Sequence, residues 1–184
     1  MTLNDTELVE GLKEGANDAF CELLDRYEGK IFNTVLRIVK DFTHAEDVVQ
    51  EVFVKTLRNI GSFNFQANFY TWIYRIAVNA ALDGRKKNQR QRAVSLNANE
   101  EKPFDIPSEG SDPSAAPERD EMAQILNKAI DSLPDKYRTI ILLREFDELS
   151  YEEISQVLEC SKGTVESRLF RARERLRKKM EKYI

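Results

Sequence analysis

The residues best suited to chemistry lie near the C-terminal end. Ser150 and Glu153 form a Ser-x-x-Glu pair, and Ser161 follows eight residues later. Then come Lys162, Gly163, Thr164, Glu166, Ser167, Phe170 and Arg171, and after them Arg173, Arg175, Arg177, Lys178 and Lys179. Short hydroxyl side chains and an arginine within two helical turns can reach base edges in a DNA major groove. A glycine allows close backbone approach, and the flanking cations suit phosphates. A solvated basic face on an ordinary helical bundle has the same composition. Catalytic groups are scarce. His44 is the single histidine and is expected in a turn; Cys21 and Cys160 stand alone and are expected as packing thiols, with no metal-ligand spacing. Glu152 and Glu153 are neighbours on a helix, so their carboxylates point apart, and no Gly-rich phosphate loop is present. The chain is expected to be no enzyme and to need no cofactor or metal.

The local pattern positions those residues. Ser150 and Glu153 read as a capping box that starts a helix near Tyr151, with Ile154, Val157 and Leu158 forming one apolar stripe. Glu159, Cys160 and Ser161 make a tight turn, and Ser161 caps a second helix whose buried face is Val165, Leu169, Ala172 and Leu176. Two short helices in this spacing are a helix-turn-helix. Pro134 is expected in the first turn of the preceding helix, where its missing N–H has no cost.

The chain has 184 residues, 41% hydrophobic and 33% charged, which fits one large domain or two small ones. It carries no apolar run of membrane-spanning length, and its start, MTLNDTELVEGLKEG, lacks a basic segment followed by an apolar core, so a cytoplasmic location is expected. The net charge is −4, but it is segregated. Lys162 to Lys182 holds nine basic and three acidic residues, a net +6, and Asn97 to Glu121 holds two basic and eight acidic ones, a net −6. Such a distribution implies DNA contact assisted by a larger partner rather than a strong independent grip.

Along the chain, Thr6 to Gly15 reads as a short amphipathic helix with Leu8, Val9 and Leu12 on one side, and Asn17 to Val39 as a longer core helix. Asp41 to His44 breaks the pattern. From Ala45 to Ile60 the helical period returns, with Val49, Val52, Phe53, Leu57 and Ile60 as a buried face and Asp47, Gln50, Glu51, Val54 and Arg58 on another. Periodicity leaves that second stripe open between a solvated face and a docking surface. Phe63, Phe65, Phe69, Tyr70, Trp72 and Tyr74 then crowd twelve positions and run into Arg75, Asn79, Asp83, Arg85 and Lys86. Aromatics at this density build a core, yet beside a basic helix end they also suit a single-stranded DNA platform, and the residues alone support both readings. Residues 88–118, with four of the five prolines and no periodicity, read as a flexible acidic linker. A helix from Arg119 to Ser132 opens the second domain, with Met122, Ile125, Leu126, Ala129 and Ile130 expected inside.

With these residues in view, the whole chain resembles the extracytoplasmic-function (ECF, group IV, sigma-70 family) sigma factors of bacterial RNA polymerase. HAEDVVQEVFVKT resembles the segment that docks on the polymerase clamp helices, FYTWIYRIAVNAALDGRKK the element that melts and reads the −10 region, and the stretch from Leu133 to Arg177 the −35 reader. The resemblance implies an all-α fold of two small helical domains: sigma region 2, a helical bundle, at 1–87 and sigma region 4, a helix-turn-helix, at 119–184, joined by a flexible linker at 88–118. It implies core-polymerase contacts at Asp47, Gln50, Glu51, Val54 and Arg58. It places −10 single-strand contacts at Phe63, Trp72, Arg75, Asn79, Asp83, Arg85 and Lys86, with Phe63, Asn79 and Asp83 capturing a flipped base. It places −35 duplex contacts at Lys162, Gly163, Thr164, Glu166, Ser167, Phe170 and Arg171. Glu166 stands where relatives often carry Arg or Lys, and its carboxylate repels phosphate but accepts from a cytosine amino group. The implied partners are bacterial core RNA polymerase, promoter DNA and an anti-sigma factor, the last able to hold the protein near the membrane without insertion. The alternative is an autonomous helix-turn-helix repressor, which requires a dimer interface that no heptad or sensor segment supplies.

Overall fold

The computed structural model describes residues 3–94 and 117–181, and among these there is helix but no strand. The chain divides into two compact units, the first built on α1 to α4 and the second on α5 to α8.

In the first unit α1 spans Asp5–Glu14, α2 Asn17–Val39, α3 Phe42–Asn59 and α4 Phe69–Val94, with a 3-10 turn at Ile60–Ser62. Asn4 caps α1 through a reciprocal box with Glu7, and Gly15, at φ 74°, closes it in the left-handed region that glycine adopts without a Cβ penalty. Leu8, Val9 and Leu12 are buried, as the amphipathic pattern predicts. Helix α1 lies against α2 so closely that a Cβ on Gly11 would stand 2.8 Å from the Ala19 Cβ. Arg26 ties the same two helices, paired with Asp5 at 3.0 Å and Glu22 at 2.6 Å and donating to the Leu3 carbonyl. Leu23, Ile31, Val35 and Ile38 of α2, Val48 and Val52 of α3, and Ile73, Ala77, Val78 and Ala81 of α4 form the core.

Several expectations need correction here. Helix α3 begins three residues earlier than predicted because Asp41 caps it, accepting the His44 N–H at 2.8 Å. His44 is therefore a first-turn residue and not a break. Its ring lies against α4, where a Cβ on Gly84 would meet His44 Nε2 at 2.9 Å, and that nitrogen is buried without a hydrogen-bond partner. Leu57 is 38% exposed rather than buried, and Cys21 is exposed on α2 rather than a packing thiol. Helix α4 runs through Val94, so the first residues assigned to the linker are helical; residues 95–116 of that linker lie outside the described residues.

In the second unit α5 spans Pro117–Asp131, α6 Asp135–Ile141 continuing into a π-helical turn at Leu142–Phe146, α7 Tyr151–Val157 and α8 Lys162–Met180. The Ser150 box forms as its spacing predicts: Glu153 N–H donates to Ser150 Oγ at 3.2 Å, and the Ser150 N–H donates to Glu153 Oε2 at 2.8 Å. Ser161 Oγ likewise accepts from the Thr164 N–H at 3.2 Å. Glu159, at φ 48°, makes the turn between α7 and α8. Ala129, Ile130, Ile140, Leu143, Ile154, Val165 and Leu169 are buried together. Met122 and Leu126, expected inside, are exposed, while Ala129 and Ile130 of the same helix are buried. Pro134 is the cap of α6 rather than a first-turn residue, and its carbonyl accepts from the Tyr137 and Arg138 N–H groups.

Candidate nucleic-acid interface

On α8 the buried row Val165, Leu169 and Ala172 fixes the rotation of the helix. Lys162, Gly163, Glu166, Ser167, Phe170 and Arg171 are then exposed and Thr164 half-exposed, so all seven predicted residues share the outward side. Phe170 is 68% exposed, an unusual position for a phenylalanine, and among the described residues it has no partner ring. A Cβ at Gly163 would meet nothing, so the fold makes no demand for glycine there. Three of the helix's cations are already engaged. Lys162 hydrogen-bonds Glu152 of α7, which holds that carboxyl below its usual range and raises the ammonium. Arg173 reaches Glu145 at 2.7 Å, and Arg177 pairs with Glu174 at 3.3 Å. Beside α7, the Arg144 guanidinium donates to the Leu149 carbonyl at 2.8 Å and lies 5.4 Å over the Tyr151 ring, which joins the π-helical turn to the helix-turn-helix.

In the first unit the predicted −10 residues separate into two groups. Phe63 and Trp72 belong to a buried aromatic cluster: their centroids are 5.3 Å apart, and Phe69 packs on both. Asn79, Asp83 and Lys86 are exposed along α4, with Arg75 on the same side of the helix; Lys86 stands 3.6 Å from Asp83. At about 1.5 Å per residue, Trp72 and Lys86 are roughly 20 Å apart along the helix axis, so these residues form a track and not a single pocket. Arg85 turns inward and donates to the Ile38 carbonyl at 3.0 Å, which joins α4 to the end of α2.

Phe65 is not among the residues that the sequence points to for DNA contact, yet the fold sets it apart. It is 46% exposed, sits at φ 59°, and packs edge-on against Phe63 at 5.1 Å. Lys13 braces this loop, donating to the Phe63 carbonyl at 2.9 Å with its ammonium 5.4 Å over the Phe65 ring. A positive φ on an aromatic residue is strained by about 1–3 kcal/mol, and such strain collects at functional loops. The aromatic cluster in the sequence contains this ring, but its backbone angle leaves no sequence signal.

On α3, Asp47, Gln50, Glu51, Val54 and Arg58 are all exposed, and Lys55 pairs with Glu51 at 2.7 Å. Val54 and Leu57 leave an apolar spot in the middle of that polar row.

Comparison with known proteins decides the family. Residues 23–91 match the model for sigma-70 region 2, and residues 123–176 match that for sigma-70 region 4. The chain is 40% identical over 186 residues to the ECF RNA polymerase sigma-E factor of Escherichia coli strain K12, covering 99% of this chain and 97% of the relative. The chain belongs to the ECF sigma factors. It is also 40% identical to the RNA polymerase sigma-H factor of Pseudomonas aeruginosa over 185 residues, covering 96% of this chain and 94% of that one. Among solved structures, a sigma factor in complex with the anti-sigma factor NepR from Bartonella quintana matches with TM-score 0.69 at 24% identity, over 88% of this chain and 96% of that one. CnrH, solved with the cytosolic domain of CnrY, matches with TM-score 0.69 at 22% identity over 95% of each chain.

As a sigma factor, the protein is a transcription initiation factor and not an enzyme: it binds core RNA polymerase and directs it to promoter DNA. The region 2 match lies within the first unit, and the region 4 match spans α5 to α8. No described helix is long and apolar enough to cross a membrane.

Proposed function

We propose that this sigma factor divides its work among three surfaces. The α3 row of Asp47, Gln50, Glu51, Val54 and Arg58, widened by Leu57, docks on core polymerase. The α4 track of Arg75, Asn79, Asp83 and Lys86 holds the −10 non-template strand, and the exposed Phe65 ring beside the buried Phe63 and Trp72 offers a stacking face for an unstacked base. The outward side of α8 reads the −35 duplex. The observation that carries the docking assignment is the exposure of Val54 at 45% and Leu57 at 38% within a polar row, since a partner surface accounts for apolar side chains that the core leaves out. Strand capture and polymerase binding together offset the opening of the duplex, so melting needs no ATP.

Two further assignments belong with this reading. The first domain takes in α1 to α4, through Val94, and the second takes in α5 to α8, from Pro117. The protein works in the cytoplasm under an anti-sigma factor that covers the polymerase- and DNA-binding faces; control of this kind is in keeping with a structural neighbour solved in complex with an anti-sigma factor.

Size-exclusion chromatography with bacterial core RNA polymerase tests the division. The native chain should co-elute, Asp47→Ala/Glu51→Arg should not, and Asn79→Ala should co-elute yet fail to support promoter-dependent transcription. Loss of both activities in Asn79→Ala, or co-elution of the α3 variant, would remove the corresponding assignment.

A further inference from the structure

The cations of the second unit are not used alike. Lys162, Arg173 and Arg177 are each paired with a carboxylate. Lys136, Arg171 and Arg175 are exposed, and among the described residues none of the three is in an ion pair. They nevertheless meet at one point. Tyr137 of α6 is buried; the Arg175 guanidinium lies 5.0 Å from its ring centroid and the Lys136 ammonium also 5.0 Å, with Arg171 one turn before Arg175 on α8. Burial pushes the Tyr137 phenol up, but the nearby Arg171, Lys136 and Arg175 cations outweigh it, and the net displacement is downward. Three unneutralised cations held together by one aromatic ring repel one another, and an anion between them would relieve that repulsion.

We propose that Lys136, Arg171 and Arg175, gathered on Tyr137, form a phosphate-binding site that grips the DNA backbone at the flank of the α8 reading face. The site rests on the −35 reading and extends it to α6. Continuity selects DNA as the occupant. Arg171 lies one residue beyond Phe170, and Arg175 lies one turn further, so a duplex seated on Thr164, Ser167 and Phe170 brings its backbone to this edge of the helix. The guanidinium forks of Arg171 and Arg175 match phosphate oxygens, while Lys136 supplies a point charge from the second helix. Contacts of this kind fix register and carry no base preference, so a duplex of random sequence is a sufficient probe.

The test follows the nitrogen-bound protons of the full chain by NMR as a short random-sequence duplex is added at low salt. The Nε–H signals of Arg171 and Arg175 and the amide of Lys136 should shift together with the amides of Thr164 and Ser167. In a second measurement, Lys136→Ala/Arg175→Ala should lower the slope of log affinity against log salt by about two, at roughly 0.9 per phosphate contact, with an unchanged circular-dichroism spectrum. If Thr164 and Ser167 move while Lys136 and Arg175 do not, and the slope is unchanged, the phosphate site is wrong and the −35 reading stands. If no α8 signal responds, that reading falls together with the site. A response of the cluster to added core polymerase but not to duplex would reassign it to a protein partner and overturn the proposal.

Discussion

Two glycines separate a residue the fold needs from one that it does not. Gly163 is the second residue of α8, and a Cβ there meets nothing within 4 Å. Gly163→Ala should therefore hold or raise stability, by up to about 1 kcal/mol from helix propensity, while weakening duplex binding if DNA backbone must approach this point. Gly11→Ala should do the opposite. Its Cβ would stand 2.8 Å from that of Ala19, an atom with no side chain to swing aside, so α1 must lift from α2 at about 1–3 kcal/mol, with duplex binding kept. Urea unfolding and duplex titration of both variants check the pair; a stability loss at Gly163, or none at Gly11, would reverse the assignment. The sequence distinguishes these glycines only in part. Gly163 is legible because it sits in a polar helix start among groove-reading residue types, whereas the need at Gly11 arises from a helix crossing that no local pattern encodes. Phe65 is the same case: its ring is visible in the sequence, its left-handed backbone is not.

At the scale of the element, capping governs both what was legible and what was missed. The Ser150 and Glu153 box and the Ser161 cap are encoded within four residues, so the starts of α7 and α8, and with them the outward placement of the reading face, follow from local chemistry. Asp41 performs the same task for α3, but Phe42 and Thr43 mask the apolar period there, which moved the predicted start to Ala45. Met122 and Leu126 show the complementary failure: they keep the period of a buried stripe, yet they are exposed while Ala129 and Ile130 of the same helix are buried. Because α7 has seven residues, its cap is a large part of its stability. Ser150→Ala should cost about 0.5–2 kcal/mol, and adding Glu153→Ala should cost less than the sum of the single changes, since the two side chains satisfy one helix end reciprocally. Chemical denaturation of the two single variants and the double variant measures this, and strict additivity would mean that the box is not cooperative.

At the scale of the molecule, a net charge of −4 on a DNA-binding chain becomes intelligible once the labour is divided between units. Under the proposed division, the +6 stretch from Lys162 to Lys182 supplies the charge for the unit assigned to duplex, Asp47 and Glu51 of α3 are the surface assigned to polymerase, and the two surfaces lie on separate compact units. Cores that are built separately let one surface be damaged without deforming the other, because packing strain decays within the unit that carries it. Arg171→Ala should accordingly weaken duplex binding and leave polymerase co-elution intact. Asp47→Ala/Glu51→Arg, which is expected to lose co-elution, should retain the full set of duplex-induced shifts at Thr164, Ser167 and Arg171. The two losses should also respond differently to salt: duplex affinity falls about 10- to 40-fold between roughly 50 and 200 mM when two to three phosphates are neutralised, whereas polymerase docking, if it buries Val54 and Leu57 as proposed, weakens less. If Arg171→Ala abolished polymerase binding, or the α3 variant lost its duplex response, the surfaces would be coupled through the chain and a division into independent readers could not hold.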